Sequence, residues 1–144
     1  MNPGTAQERT EAVVLFAHGS RDPLWQMPVR AVEARIRALH PAVPVRCAFL
    51  EWTEPDLPVA VSELVAEGAT AVRILPLFLG VGRHAREDLP QAVAGLRERW
   101  PQVRFDLRPA VGDDPRLVEL LAALATERLA PGGLPPDDPT PSPR

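Results

Sequence analysis

The chain has 144 residues, 45% of them hydrophobic and 24% charged, with a formal net charge of −3. That balance fits one soluble globular domain whose single core removes roughly 70% of the unfolded surface from water, and it gives no electrostatic reason to expect nucleic acid or an anionic membrane as partner. No apolar run reaches the roughly 18 residues of a membrane span, and the one cysteine, Cys47, excludes an internal disulfide and a thiolate metal cluster.

Residues 1–11 are polar and lack the apolar centre of a signal peptide, which predicts a flexible N-terminus and a cytoplasmic protein. Val13–Ala17 reads as a buried strand that empties into His18-Gly19-Ser20. From Leu24 to Leu39 the apolar Val29, Val32, Ile36 and Leu39 recur at helical spacing, with Arg30, Glu33, Arg35 and Arg37 on the other face. His40-Pro41 ends that helix, and Val43–Leu50 forms the second strand, with Cys47 as a buried small hydrophobe. Asp56 caps a second helix that has Pro58 in its first turn and Gly68 past its end. Val72–Leu79 is the third strand, Glu87–Trp100 the third helix, with acids suited to its first turn, and Val103–Leu107 a weaker fourth strand. Asp113 or Asp114 caps the last helix, which begins at Pro115 and carries Leu117, Leu120, Leu121 and Leu124 on one stripe. Residues 12–130 are thus read as one domain, and the proline-rich 131–144 as a disordered tail.

Alternation of strand and helix implies an α/β fold: a four-stranded parallel sheet with helices on both faces. Right-handed crossovers favour the order 2-1-3-4, which sets the strands leading to His18 and His84 side by side. Ligands of open α/β sheets bind at that C-terminal edge. The chain has only three histidines, and two imidazoles facing one cleft can hold a divalent metal, move protons, or do both. Gly19-Ser20 makes a small-residue turn that allows close approach to the backbone. Glu51, at the end of the second strand, could complete a His/His/carboxylate set, with Glu54 as the competing acid. Arg21, Arg83 and Arg86 flank the histidines and suit a polyanionic ligand, or else are solvated surface charge. His40 is placed as a structural residue at a helix end. The fingerprints of a nucleophile elbow, a dinucleotide site, a P-loop, C-x-x-C and H-E-x-x-H are all absent from the sequence.

Leu15-Phe16-Ala17-His18-Gly19-Ser20-Arg21-Asp22, Ala48-Phe49-Leu50-Glu51, Leu75-Pro76-Leu77-Phe78-Leu79 and His84 followed by Glu87-Asp88-Leu89-Pro90 resemble the short sirohydrochlorin chelatases, the small class II chelatases. The resemblance runs from about Val13 to Leu129. It implies a flavodoxin-like half-chelatase fold, two copies of which meet as a homodimer, whereas longer relatives fuse the halves. It implies that His18 acts as base and metal ligand, that His84 binds metal, and that Glu51 is a further metal-side group. Gly80-Val81-Gly82-Arg83 would lie against the macrocycle, with Ser20, Arg21 and Arg86 as further substrate contacts. Arg83 departs from the smaller residue expected there.

The implied reaction replaces two pyrrole protons with one divalent cation, Co²⁺ or Fe²⁺, in sirohydrochlorin, for cobalamin or sirohaem biosynthesis. It needs no organic cofactor, and the macrocycle's eight carboxylate arms give the arginines a purpose. Two alternatives stand beside it: nickel insertion into the same ring, since imidazole sites bind Ni²⁺ more tightly than Co²⁺ or Fe²⁺, and a module that binds tetrapyrrole or metal without turnover.

Overall fold

The computed structural model describes residues 9–129. The 131–144 tail and most of the expected N-terminal segment lie outside the described residues. Four strands, β1 (Glu11–Ala17), β2 (Val45–Phe49), β3 (Ala71–Pro76) and β4 (Arg104–Leu107), form one parallel sheet in the order β2-β1-β3-β4. Four helices alternate with them: α1 (Met27–Leu39), α2 (Leu57–Ala66), α3 (Arg83–Arg99) and α4 (Pro115–Thr126). The expected fold class and strand order are therefore present.

Both sheet faces carry core, which is why the strands read as nearly continuous apolar runs. Val14, Phe16, Ala48, Val72 and Ile74 pack with Val61 and Leu64 of α2 and Val93 and Leu96 of α3. On the opposite face Leu15, Ala17, Val45, Cys47 and Phe49 pack with Val29 of α1. Local signals set the helix starts. The Asp56 carboxylate accepts from the Val59 N–H at 3.0 Å, and Asp114, not Asp113, caps α4 by accepting from the Arg116 N–H at 2.8 Å. Hydrogen bonds from Arg116 hold the Asp114 carboxyl down at about 2.

Four expectations are corrected. β1 begins two residues earlier than expected, at Glu11, while β3 stops at Pro76, which has no N–H of its own to donate, although the Leu77 N–H still reaches the Phe16 carbonyl at 2.8 Å. Helix α3 begins at Arg83 and runs through Pro90, so Glu87 and Asp88 lie in its second turn. On α1, Glu33 is buried while Val32 is 40% exposed. Glu33 shares a face with Val29 and is neutralised there by Arg30 and Arg37, each 3.5 Å away. It also accepts from the Cys47 thiol at 3.4 Å.

Burial, reinforced by the Glu33 charge, pushes the Cys47 thiol up from 9.0 to about 12. A thiol raised in the folded state stabilises the fold fully below its unfolded value, and that contribution fades as pH climbs from 9 towards 12. At pH 8 a thiol reagent is expected to leave native Cys47 unlabelled and to label it on unfolding. Rapid labelling of the native chain would contradict this burial.

β2 is an edge strand, and its Val45 carbonyl accepts from the guanidinium groups of both Arg37 and Arg46. Arg46 is tied in turn to Glu63 and Glu67 of α2 and its C-cap. Helix α4 stands apart. It buries none of its residues and packs on the 3-10 turn Val111–Asp113. Val118, Leu120, Leu121 and Leu124 are 51%, 54%, 40% and 58% exposed. The leucine stripe expected on this helix exists, but within one chain it faces no core.

Candidate active site

The site forms where β1, β2 and β3 run out at the C-terminal edge of the sheet. β1 delivers His18, and the next residue, Gly19, holds φ at +98°. A Cβ there would stand 1.7 Å from the Glu51 carbonyl oxygen. The two loops are joined by backbone bonds from Leu50 N–H to the Ala17 carbonyl at 2.9 Å and from Glu51 N–H to the His18 carbonyl at 3.0 Å. What the glycine admits so closely is thus the chain's own β2 loop. Ser20 joins the same seam: its N–H donates to Thr53 Oγ1 at 3.1 Å, and the Thr53 hydroxyl donates back to the Ser20 carbonyl at 3.0 Å.

That docking sets His18 Nε2 2.7 Å from Glu51 Oε1, both side chains about half exposed. A carboxylate only accepts, so Nε2 carries a proton, and in the neutral imidazole the lone pair sits on Nδ1. Glu54, the competing acid, lies in the same groove as Glu51 beside β2 but does not pair with His18.

His84 lies one residue inside α3, after its N-cap Gly82. His18 and His84 line one cavity of about 630 Å³, whose wall includes Phe16, Phe49, Leu57, Phe78 and Leu89. Gly80, Val81, Gly82 and Arg83 line it too. Phe16 and Phe78 meet edge to face, with ring centroids 5.9 Å apart. The groove beside β2 is larger, at about 770 Å³, but it contains neither histidine. Among the described residues, no three His, Cys, Asp or Glu side chains already stand as a metal-binding group. His18 and Glu51 are paired, and His84 faces the same space without touching them.

The three flanking arginines have different placements. Arg21 stacks on the Trp52 ring, its guanidinium carbon 3.9 Å from the ring centroid. Arg83 pairs with Glu87 at 3.4 Å on an exposed helix face. Arg86 lines a separate side cavity. Ser20 Oγ accepts from the Asp22 N–H at 3.1 Å and stays within its loop.

Trp52, Thr53 and Gly112 escape sequence reasoning. Trp52 holds φ at +64° and is 60% exposed, a conformation that costs a bulky residue roughly 1–2 kcal/mol. Gly112 donates its N–H to the Phe78 carbonyl at 3.0 Å, and a Cβ there would meet the Leu79 carbonyl at 1.7 Å. This contact locks the loop after β4 against the loop after β3. A Gly between Val111 and Asp113 signals a turn, but nothing local says which carbonyl it must approach.

The CbiX family model matches residues 12–128, nearly all of the described chain. The chain belongs to the CbiX family. Among curated relatives, a sirohydrochlorin cobaltochelatase from Methanococcus aeolicus is 38% identical over 88 residues, which are 61% of either chain. A sirohydrochlorin ferrochelatase from Bacillus subtilis is 32% identical over 110 residues, 76% of this chain but only 42% of that protein. The crystal structure of the sirohydrochlorin chelatase SirB from B. subtilis subspecies spizizenii in complex with cobalt aligns with a TM-score of 0.70 at 27% identity. The alignment covers 83% of this chain and 51% of SirB, so the present chain spans about half of that longer relative.

Proposed function

We propose that this chain is a sirohydrochlorin chelatase that inserts a divalent metal, Co²⁺ or Fe²⁺, into the tetrapyrrole with release of two protons, in the cytoplasm. The observation that carries the reading is the His18–Glu51 contact at a cavity whose lining also includes His84. Metallation needs a proton acceptor and a metal donor on the same ring. Neutral imidazoles supply both near pH 7. Glu51 fixes the tautomer and the ring orientation of His18. The aromatic and aliphatic wall suits the apolar ring, while the carboxylate arms reach beyond that wall towards charged side chains and solvent. The metal enters as substrate. His18, Glu51 and His84 shed its water one ligand at a time, so full dehydration is not met in a single step. No organic cofactor is required.

The test is an anaerobic absorbance time course of sirohydrochlorin with Co²⁺, Fe²⁺ or Ni²⁺, with and without catalytic protein. Multiple turnovers above the spontaneous rate are expected, and the fastest metal ranks the pathways. A spectral change that stops at one equivalent would mean a binding module without turnover.

A second copy of the chain covers α4 in this reading. The B. subtilis relatives are about twice as long, and the fold seen here fills only half of SirB. The exposed leucine stripe of α4 is the face on which a second half or a second copy would bury apolar surface. Light scattering is expected to give a dimer and Leu121→Glu a monomer, because a buried unpaired carboxylate opposes association. A monomeric wild type would remove α4 as an interface.

A further inference from the structure

We propose that the side cavity between α3 and the end of β4 is a carboxylate subsite in which Arg108, together with Arg86, receives an acidic arm of the macrocycle. The proposal rests on the chelatase reading and extends it to a residue and a cavity outside the histidine site. The cavity has a volume of about 380 Å³ and shares Val81, Ala85 and Leu89 with the histidine cavity. A ring seated against the shared wall can therefore place a substituent in the side cavity without leaving the histidines.

Its polar lining is Arg86 from α3, Arg108 from the end of β4, and one acid, Asp113. Most other arginines near acids in this fold are already paired: Arg30 and Arg37 with Glu33, Arg46 with Glu63, Arg73 with Asp106, Arg83 with Glu87, and Arg116 with Asp114. Arg86 and Arg108 make no ion pair among the described residues, although the Arg108 charge does help lower Asp114. Two guanidinium groups against one carboxylate leave the cavity net positive, and a forked guanidinium matches a carboxylate in charge and shape. The frame around Arg108 is fixed. Its N–H donates to the Ile74 carbonyl at 2.9 Å, Pro109 follows, and Ala110 is buried. Gly112 ties the next turn to Phe78, a residue of the histidine cavity. Arg108 is thus held in register with the ring site by backbone bonds and not by chance proximity.

The test titrates metal-free sirohydrochlorin into the full chain and follows tryptophan fluorescence, with Trp52 exposed beside the site as reporter. Arg108→Gln is expected to weaken binding roughly three- to tenfold, the range for one charge-assisted contact near solvent. Arg86→Gln should show a similar loss, Arg108→Lys should recover much of the affinity, and both glutamine variants should bind with a shallower salt dependence than wild type. Unchanged affinity and salt dependence in Arg108→Gln would overturn the subsite. Should that variant unfold, Arg86→Gln, at an exposed helix position, decides the matter by the same readout. A wild type that binds the macrocycle but does not metallate it would overturn the chelatase reading, while the variant comparison still decides the subsite. A wild type that does not bind at all would end both.

Discussion

Replacing His18 by alanine is expected to cut chelatase turnover roughly 100- to 10,000-fold, the span commonly lost with a positioned general base, while leaving the chain folded. The side chain is about half exposed and contributes to no core cluster, so its removal opens no cavity. His84→Ala should fall in the same range. His84 lines the same cavity but makes no contact with the His18–Glu51 pair, so in the proposed reaction its loss should be felt independently of that pair. Glu51→Gln keeps an acceptor for His18 Nε2 and loses only charge. A milder decrease of roughly 10- to 100-fold follows, the usual effect of removing a partner that orients a metal-binding histidine. The readout is the metallation time course, with circular dichroism to confirm folding. Full activity in both alanine variants would remove the histidines from the mechanism, and a Glu51→Gln defect as deep as that of His18→Ala would make Glu51 a direct participant.

Gly19→Ala should be the most damaging single substitution outside the core. A side chain at φ +98° is strained wherever it occurs, and here the added methyl meets the Glu51 carbonyl oxygen at 1.7 Å. The neighbouring bonds, Leu50 N–H to Ala17 and Glu51 N–H to His18, give the loops no room to separate without breaking. Backbone strain and steric overlap each cost about 1–3 kcal/mol, which corresponds to a melting temperature lower by roughly 10 °C in a chain of this size. The same shift would pull Glu51 away from His18, so activity should fall even at temperatures where the variant remains folded. A Gly19→Ala protein with wild-type melting and wild-type turnover would show that the two loops are not held as described.

Much of this fold is legible in the sequence because it depends on period and punctuation. Apolar runs ending at His18 and before Gly80, prolines at helix starts, and Asp56 as a cap are local signals. Right-handed crossover then supplies the strand order that brings His18 and His84 to one edge. The inward turn of Glu33 is not legible in that way: hydrophobic periodicity assigns a carboxylate to the solvent side, and only Arg30 and Arg37 one turn away reverse that cost. The early start of α3 escapes for a similar reason, because Pro90 reads as a boundary whereas the helix carries it in its third turn. Choosing Glu51 over Glu54 requires the path of the β2 loop, which long-range bonds to Ala17, His18 and Ser20 determine. The leucine stripe of α4 has the same spacing whether it faces a core or solvent. Period fixes the existence of an apolar face and is silent about what covers it.

The guanidinium groups on the Val45 carbonyl bear on how copies of this chain can meet. An open parallel edge offers a ladder of unpaired groups to any passing strand, the geometry from which sheet-to-sheet aggregation grows. At β2 an incoming strand would first have to displace Arg37 and Arg46 from that carbonyl and then part Arg46 from its two glutamates. The opposite edge, β4, is only four residues long. Both rims of the sheet are therefore poor templates for lateral growth, and a chain that self-associates through a helix face can do so without drifting into open-ended fibres.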